Sequence, residues 1–285
     1  MRRHDAAIIT LLFFLPLTLF WQQTVGGRTL LPTENLYQYE PYSTDRESVG
    51  APLIPHNHLI SDLVLQNYQW KSFILAQAAQ GEIPLWNPHN FSGAPFMAAG
   101  QQSTLYPLSV LYYLLTLSAA YGWFTVLNLW LAGAFMYGFV RALGVNRLGA
   151  TVSAITYQLC GMLVASAVHP RIIGAAVWLP LLLQMCEHLL QARPLFGRPA
   201  NAVWVGIGAL ALACNITAGH AELTIYTLLI AGYFSAARLL LMLWGTRRLP
   251  IRTALWLLAM VALGLGMGSV QLIPLYEFAS SNWRA

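Results

Sequence analysis

Apolar runs of about 17 residues or more recur down this chain, and each is long enough to cross roughly 30 Å of hydrocarbon as a helix. That repetition fixes the fold class as all-α: a polytopic helical membrane protein. Composition agrees, with 57% hydrophobic and 9% charged residues, against about 25% charged in an average soluble domain. The net charge of +5 does not indicate nucleic-acid binding. The basic residues form short clusters between spans, as membrane topology demands, and no basic patch interleaves with aromatics. Cys160, Cys186 and Cys214 all fall inside expected spans with no metal-ligand spacing, so they read as apolar packing residues rather than a disulfide framework.

Seven spans are expected, at 6–21, 121–140, 149–168, 172–190, 200–218, 223–244 and 253–275. The first, within residues 1–21, has a basic start (Arg2, Arg3) before its apolar stretch, as a signal peptide would. The small-residue cleavage pattern is missing, which favours an uncleaved signal anchor. Residues 105–140 carry no charge and are too long for one straight span at 1.5 Å per residue. A break near 118–122 is expected, with 105–117 dipping in rather than crossing. The positive-inside rule supports this choice. It places Arg2, Arg3, Arg141, Arg147, Arg193, Arg198, Arg238, Arg247, Arg248 and Arg252 in the cytoplasm, and Arg28, Arg46, Lys71, Arg171 and Arg284 outside. The N-terminus is then cytoplasmic. Of the acids, only Asp5 and Glu187 lie inside, and none falls mid-span, which argues against a proton-coupled carrier. Trp86, Tyr106, Tyr112, Tyr113 and Trp123 fit an outer aromatic belt.

Three regions follow: the anchor at 1–21, an extracytoplasmic loop at 22–103, and a helical bundle at 104–285. The loop holds six of the ten acids: Glu34, Glu40, Asp45, Glu47, Asp62 and Glu82. Within it, 61–80 reads as an amphipathic helix on the membrane surface, with Ser61 as N-cap and Asp62 favoured beside the helix start.

Four polar features land on the outer face: Asp62, His169-Pro170-Arg171, His220 with Glu222, and Glu277. Each alone also reads as an ordinary group at a span end. Together, a carboxylate, two imidazoles and a guanidinium suit acid/base work on an anionic substrate. His58 and Asp62, four residues apart, form a weak pair for a divalent metal, weakened further because His58 falls ahead of the helix. Gly264, Gly266 and Gly268 have no preceding strand and read as helix-packing glycines.

Several motifs carry a family resemblance. They are residues 62–66 with Tyr68-Gln69-Trp70, Gly81-Glu82-Ile83-Pro84-Leu85-Trp86-Asn87-Pro88, Gly93-Ala94-Pro95-Phe96, and Gln101 through Tyr106-Pro107. Trp178-Leu179-Pro180, Ala218-Gly219-His220 and Gln271-Leu272-Ile273-Pro274 add to it at span ends. Over about 60–278 the chain resembles the YfhO family of bacterial membrane proteins, within the C-type glycosyltransferase superfamily. The resemblance implies a bacterial cytoplasmic (inner) membrane protein that takes a sugar from a polyprenyl-phosphate donor. The acceptor would be a cell-envelope polymer such as lipoteichoic acid, outside the membrane, with a divalent metal used by some members. It implies Asp62 as the base for the acceptor hydroxyl. Arg171, His169, His220, Glu222 and Gln101 are the expected substrate-binding residues. Family members run longer, so a truncated bundle is expected. A flippase or carrier for lipid-linked sugar, and a non-catalytic subunit of an envelope glycosylation system, are the alternatives.

Overall fold

The computed structural model describes residues 3–90, 92–247 and 250–281. Arg2, Arg248 and Arg284, used in the charge count, lie outside the described residues. Helix α1 (Arg3–Leu19) and the single turn α2 (Trp21–Thr24) lead into the loop. There a π-helical turn, Leu63–Asn67, runs into α3 (Tyr68–Ala79). A short hairpin follows, β1 (Trp86–Asn87) antiparallel to β2 (Ala94–Pro95), with Trp86 opposite Pro95. The bundle comprises α4 (Leu111–Leu114), α5 (Leu117–Ala142), α6 (Arg147–Gln158), α7 (Gly161–Ala165), α8 (Pro170–Ala176), α9 (Leu179–Leu190), α10 (Asn201–Thr217), α11 (Ala221–Thr246) and α12 (Ile251–Ser280).

Among the described residues, five helical stretches are long and apolar enough to cross a membrane: Leu117–Ala142, Arg147–Val168, Pro170–Leu190, Ala221–Gly245 and Ile251–Ser280. The chain is an all-α, membrane-embedded multi-pass protein. The other two expected spans coincide with shorter helices, which fall below the length of the five. α1 and α10 have 17 residues each, about 25 Å at 1.5 Å per residue. α1 packs along α5, and α10 packs against α9 and α12.

Helix α5 shows how the charges sort. Near its start, Tyr121 donates to Asn67 of the loop at 2.8 Å. Near its other end, Tyr137 donates to Asp5 at 2.8 Å, and Arg147 reaches the same carboxylate at 3.0 Å. The two sets of groups expected on opposite sides of a membrane thus occupy opposite ends of one 26-residue helix.

Four local expectations are corrected. The break in 105–140 falls at Leu115 and Thr116, and α5 begins at Leu117. Gly122 does not end a helix; a Cβ there would lie 2.0 Å from the Gln23 carbonyl oxygen, so it permits close packing of the first turn after α1. The preceding piece is a 3₁₀ turn, Pro107–Val110, and the four-residue α4, too short to cross. Second, two spans are interrupted, one at Leu159 and Cys160, the other at Val177 and Trp178. Pro180, in the first turn of α9, sits where a missing N–H costs nothing.

Third, Tyr106 and Tyr112 are not belt residues. Both are buried, with Tyr121 and Phe124, in the cluster that docks the loop. The Tyr106 hydroxyl donates to Asn128 Oδ1 at 2.6 Å. Fourth, Ser61 does not cap the loop helix; its hydroxyl donates to the His58 carbonyl at 2.7 Å and accepts from Asn35 at 2.8 Å. That helix is not clearly amphipathic, since its buried face carries Asn67 and Lys71, and the face it hides is turned to the protein. Leu63, Val64, Asn67, Lys71 and Ile74 recur at helical spacing and are all buried.

Two charged side chains are unexpectedly internal. Lys71 donates to the Gln102 carbonyl at 2.5 Å and lies 4.5 Å above the Tyr112 ring. Burial pushes its ammonium down to about 7. Glu187, placed by sequence at the cytoplasmic side, has its side chain only 1% exposed and accepts both ends of the Arg238 fork from within α11. The bundle therefore holds a buried, paired acid in the last turn of α9 rather than at mid-span.

Candidate functional site

At the loop end of the bundle, residues 97–103 form a strap over the tops of α10 and α12. Gln271 donates to the Met97 carbonyl at 3.1 Å, and Ser103 donates to the Ala218 carbonyl at 2.6 Å. Gln102 fixes the strap from inside, its amide donating to Phe96 at 2.9 Å while its backbone carbonyl accepts from Lys71. The strap crosses the α10–α11 turn at two glycines. A Cβ on Gly219, whose φ is +84°, would lie 2.2 Å from the Gly100 carbonyl oxygen. Only glycine fits both that backbone conformation and that approach. Gly219→Ala is expected to cost about 1–3 kcal/mol locally and to lift the strap, read as faster limited proteolysis within 97–103 while the far end of the bundle keeps its resistance.

Beneath the strap lies a cleft of about 270 Å³, lined by Gln101, Arg171, Gly219, His220, Glu222, Thr224 and Gln271 among others. A smaller recess of about 20 Å³ adjoins it, lined by Asp62, Gln66, Asn67, Trp70, His169 and Arg171. Arg171 belongs to both. The structure therefore brings all six residues expected for catalysis and substrate binding to two pockets that share one guanidinium.

Each side chain is held in a definable way. Arg171, one residue into α8, donates to the Gln101 side-chain oxygen. Gln66, one turn on from Asp62, donates to its carboxylate at 3.3 Å. His220 caps α11, its Nδ1 accepting from the Leu223 N–H at 3.2 Å. An imidazole whose Nδ1 accepts carries its proton on Nε2 when neutral. Burial and the neighbouring Arg171 both lower the His220 pKa, against Glu222, so the neutral tautomer with an Nε2–H donor prevails at pH 7. His169 is lowered by the same two causes in the same order, with Asp62 opposing. Glu222 is exposed at the rim and accepts from Tyr226 at 2.7 Å.

His58 is not part of this assembly. It lies in an exposed 3₁₀ turn, His58–Ile60, ahead of the helix and lines neither pocket. Among the described residues no three or more His, Cys, Asp or Glu side chains converge as a metal site would require. His58 and Asp62 are thus not brought together with a third such side chain among the described residues. Glu277 is exposed near the end of α12 and also lies outside both pockets.

Sequence reasoning missed Gln271, Thr224 and the Gly100–Gly219 crossing. Gln271 stands in a motif noted above, and a lone amide near the end of an apolar span is the signal that could have found it. Comparisons of the chain with models of protein families, with curated proteins and with solved structures give no match.

Proposed function

We propose that this protein is a glycosyltransferase of the outer face of the bacterial cytoplasmic membrane, moving a sugar from a polyprenyl-phosphate donor to a cell-envelope acceptor. What carries the reading is Arg171, which lines both the recess holding Asp62 and the cleft holding His220 and Gln101. In this reading the donor phosphate meets Arg171 and the His220 Nε2–H, and the prenyl chain leaves between the ends of α11 and α12. Asp62 takes the proton of the acceptor hydroxyl as that oxygen attacks the anomeric carbon. The bond from that carbon to the phosphate oxygen breaks, and polyprenyl phosphate leaves with the electron pair. Its charge needs fixed donors at that moment, which a guanidinium held by Gln101 supplies without reorganisation. Glu222, at the rim and bonded to Tyr226, suits sugar hydroxyls better than phosphate.

Arg171 provides the test. A planar fork bonds a phosphate at two points while still bonding Gln101, and a lysine ammonium cannot do both in that geometry. Arg171→Lys is expected to weaken binding of a polyprenyl-phosphate sugar by about tenfold, equivalent to one charge-assisted hydrogen bond, with insertion and thermal midpoint unchanged. Unaltered donor affinity in that variant would remove the phosphate from this cleft.

The carrier reading is kept for one observation: two successive spans are broken, at Leu159–Cys160 and at Val177–Trp178. Interrupted helices in membrane carriers surround translocated substrates. Transbilayer movement of a fluorescent polyprenyl-phosphate sugar in vesicles, without chemical turnover, would favour it.

A further inference from the structure

A third hollow lies beyond the Asp62 recess, on the outward face of α3. It is an open groove of about 640 Å³ between that helix and the turn after β1, within the size range of small-molecule sites. Gln66, Gln69, Trp70 and Phe73 face it from the helix, and His89 and Asn90 from the turn. The groove and the recess that holds Asp62 thus share two side chains, Gln66 and Trp70.

Its chemistry is narrow. None of the described lining residues is Asp, Glu, Lys or Arg. Primary amides each present donors and an acceptor, which pairs with hydroxyls that do both. Aromatic faces suit the C–H face of a pyranose ring, burying area with little loss of side-chain freedom. A groove without cations is a poor seat for a phosphate-rich polymer, whose charges would call for arginine or lysine. Asn87 is buried and positions His89, its side-chain oxygen accepting from the His89 N–H at 2.9 Å. Phe73 packs edge-on against Phe96 at 5.0 Å and His89 at 5.9 Å.

We propose that this groove binds a neutral glycan, the sugar-rich part of the acceptor, and delivers one of its hydroxyls past Gln66 to Asp62. The assignment to an acceptor rests on the transferase reading above; the glycan binding itself does not. It divides the two substrates between two sides of the site: the lipid phosphate on the Arg171 side, the acceptor on the α3 side.

The test uses the whole chain in nanodiscs, avoiding glycoside detergents that would compete. Saturation-transfer NMR is recorded with neutral tetrasaccharides of glucose, galactose and N-acetylglucosamine, and with a short polyglycerol phosphate. Transfer to ring protons of at least one neutral tetrasaccharide is expected, and none to polyglycerol phosphate. The double variant Gln69→Ala, Asn90→Ala changes two exposed side chains and should weaken that binding about tenfold, the equivalent of two neutral hydrogen bonds. Arg171→Lys should leave it unchanged, so loss of the donor reading and loss of the glycan groove are separable results. No transfer to any neutral tetrasaccharide overturns the proposal. So does binding that survives the double variant, or a preference for polyglycerol phosphate.

Discussion

Asp62→Asn is expected to lower sugar transfer by about 10²–10⁴-fold, the usual contribution of a positioned acid/base group, with donor affinity little changed. The acceptor is a hydroxyl whose pKa lies far above neutral, so its proton must leave as the new bond forms. Asparagine keeps the size, keeps the place before the Leu63–Asn67 turn, and keeps an oxygen for Gln66 to donate to. It cannot take a proton. Because only the transition state feels this loss, turnover should fall while the Michaelis constant for donor stays close to wild type. Glu82, the nearest competing loop carboxylate in sequence, lines neither the recess nor the cleft. Wild-type turnover in Asp62→Asn together with loss in Glu82→Gln would reassign the base.

The second large effect concerns the opposite end of the molecule. Glu187 is buried, and its carboxylate accepts from both Arg238 and Gln191, the latter at 2.7 Å. Arg238→Met leaves that carboxylate without its cation. Removing one member of a buried pair costs about 3–5 kcal/mol. With the Arg238 side chain 40% exposed, the lower end applies, about 3 kcal/mol. The apparent unfolding midpoint should fall by at least about 6 °C. The double variant Glu187→Gln, Arg238→Met should recover most of the loss, since a neutral amide is far cheaper to bury than an unpaired charge. Equal midpoints for single and double variants would mean that the pair does not hold α9 to α11. The consequence reaches the site, because α11 carries His220 and Glu222 at its other end.

The pattern of spans is legible because an apolar run of membrane length is seldom anything but a span, and arginine clusters mark one side of each. Local breaks are less legible. Gly122 looks like the interruption, yet it is a contact glycine against Gln23; the break belongs to Thr116, whose extended backbone opens α5. Pro180 does signal the start of α9, but it lies inside an unbroken apolar run that reads as one span. Lys71 reads as a surface residue because lysine usually is one. Its partners, the Gln102 carbonyl and the Tyr112 ring, come from distant segments that no local pattern announces. The same holds for Glu187 and Arg238, which the sequence assigns to one side of the membrane without pairing them.

The site is legible in part. Asp62, His169, Arg171, His220 and Glu222 stand out because topology puts them at one end of the bundle, and they do line adjoining pockets. Gln101 enters only through motif resemblance, and its contact with Arg171 gives it a physical role. His58 is picked out by spacing alone, and spacing misleads where the chain has not yet become helical. The strap over the cleft is invisible in the sequence, because it depends on two glycines far apart in the chain meeting backbone to backbone.

The central claim is tested most directly by reconstituting the chain in liposomes with a radiolabelled polyprenyl-phosphate sugar and an envelope polymer fraction supplied on one side at a time. The account predicts that label moves to the polymer only when the polymer is on the side bearing the Asp62 loop, located by an impermeant thiol reagent on a cysteine placed there, and that Asp62→Asn abolishes it. Transfer from the opposite side, or label crossing the bilayer still attached to its lipid and never reaching the polymer, would contradict it.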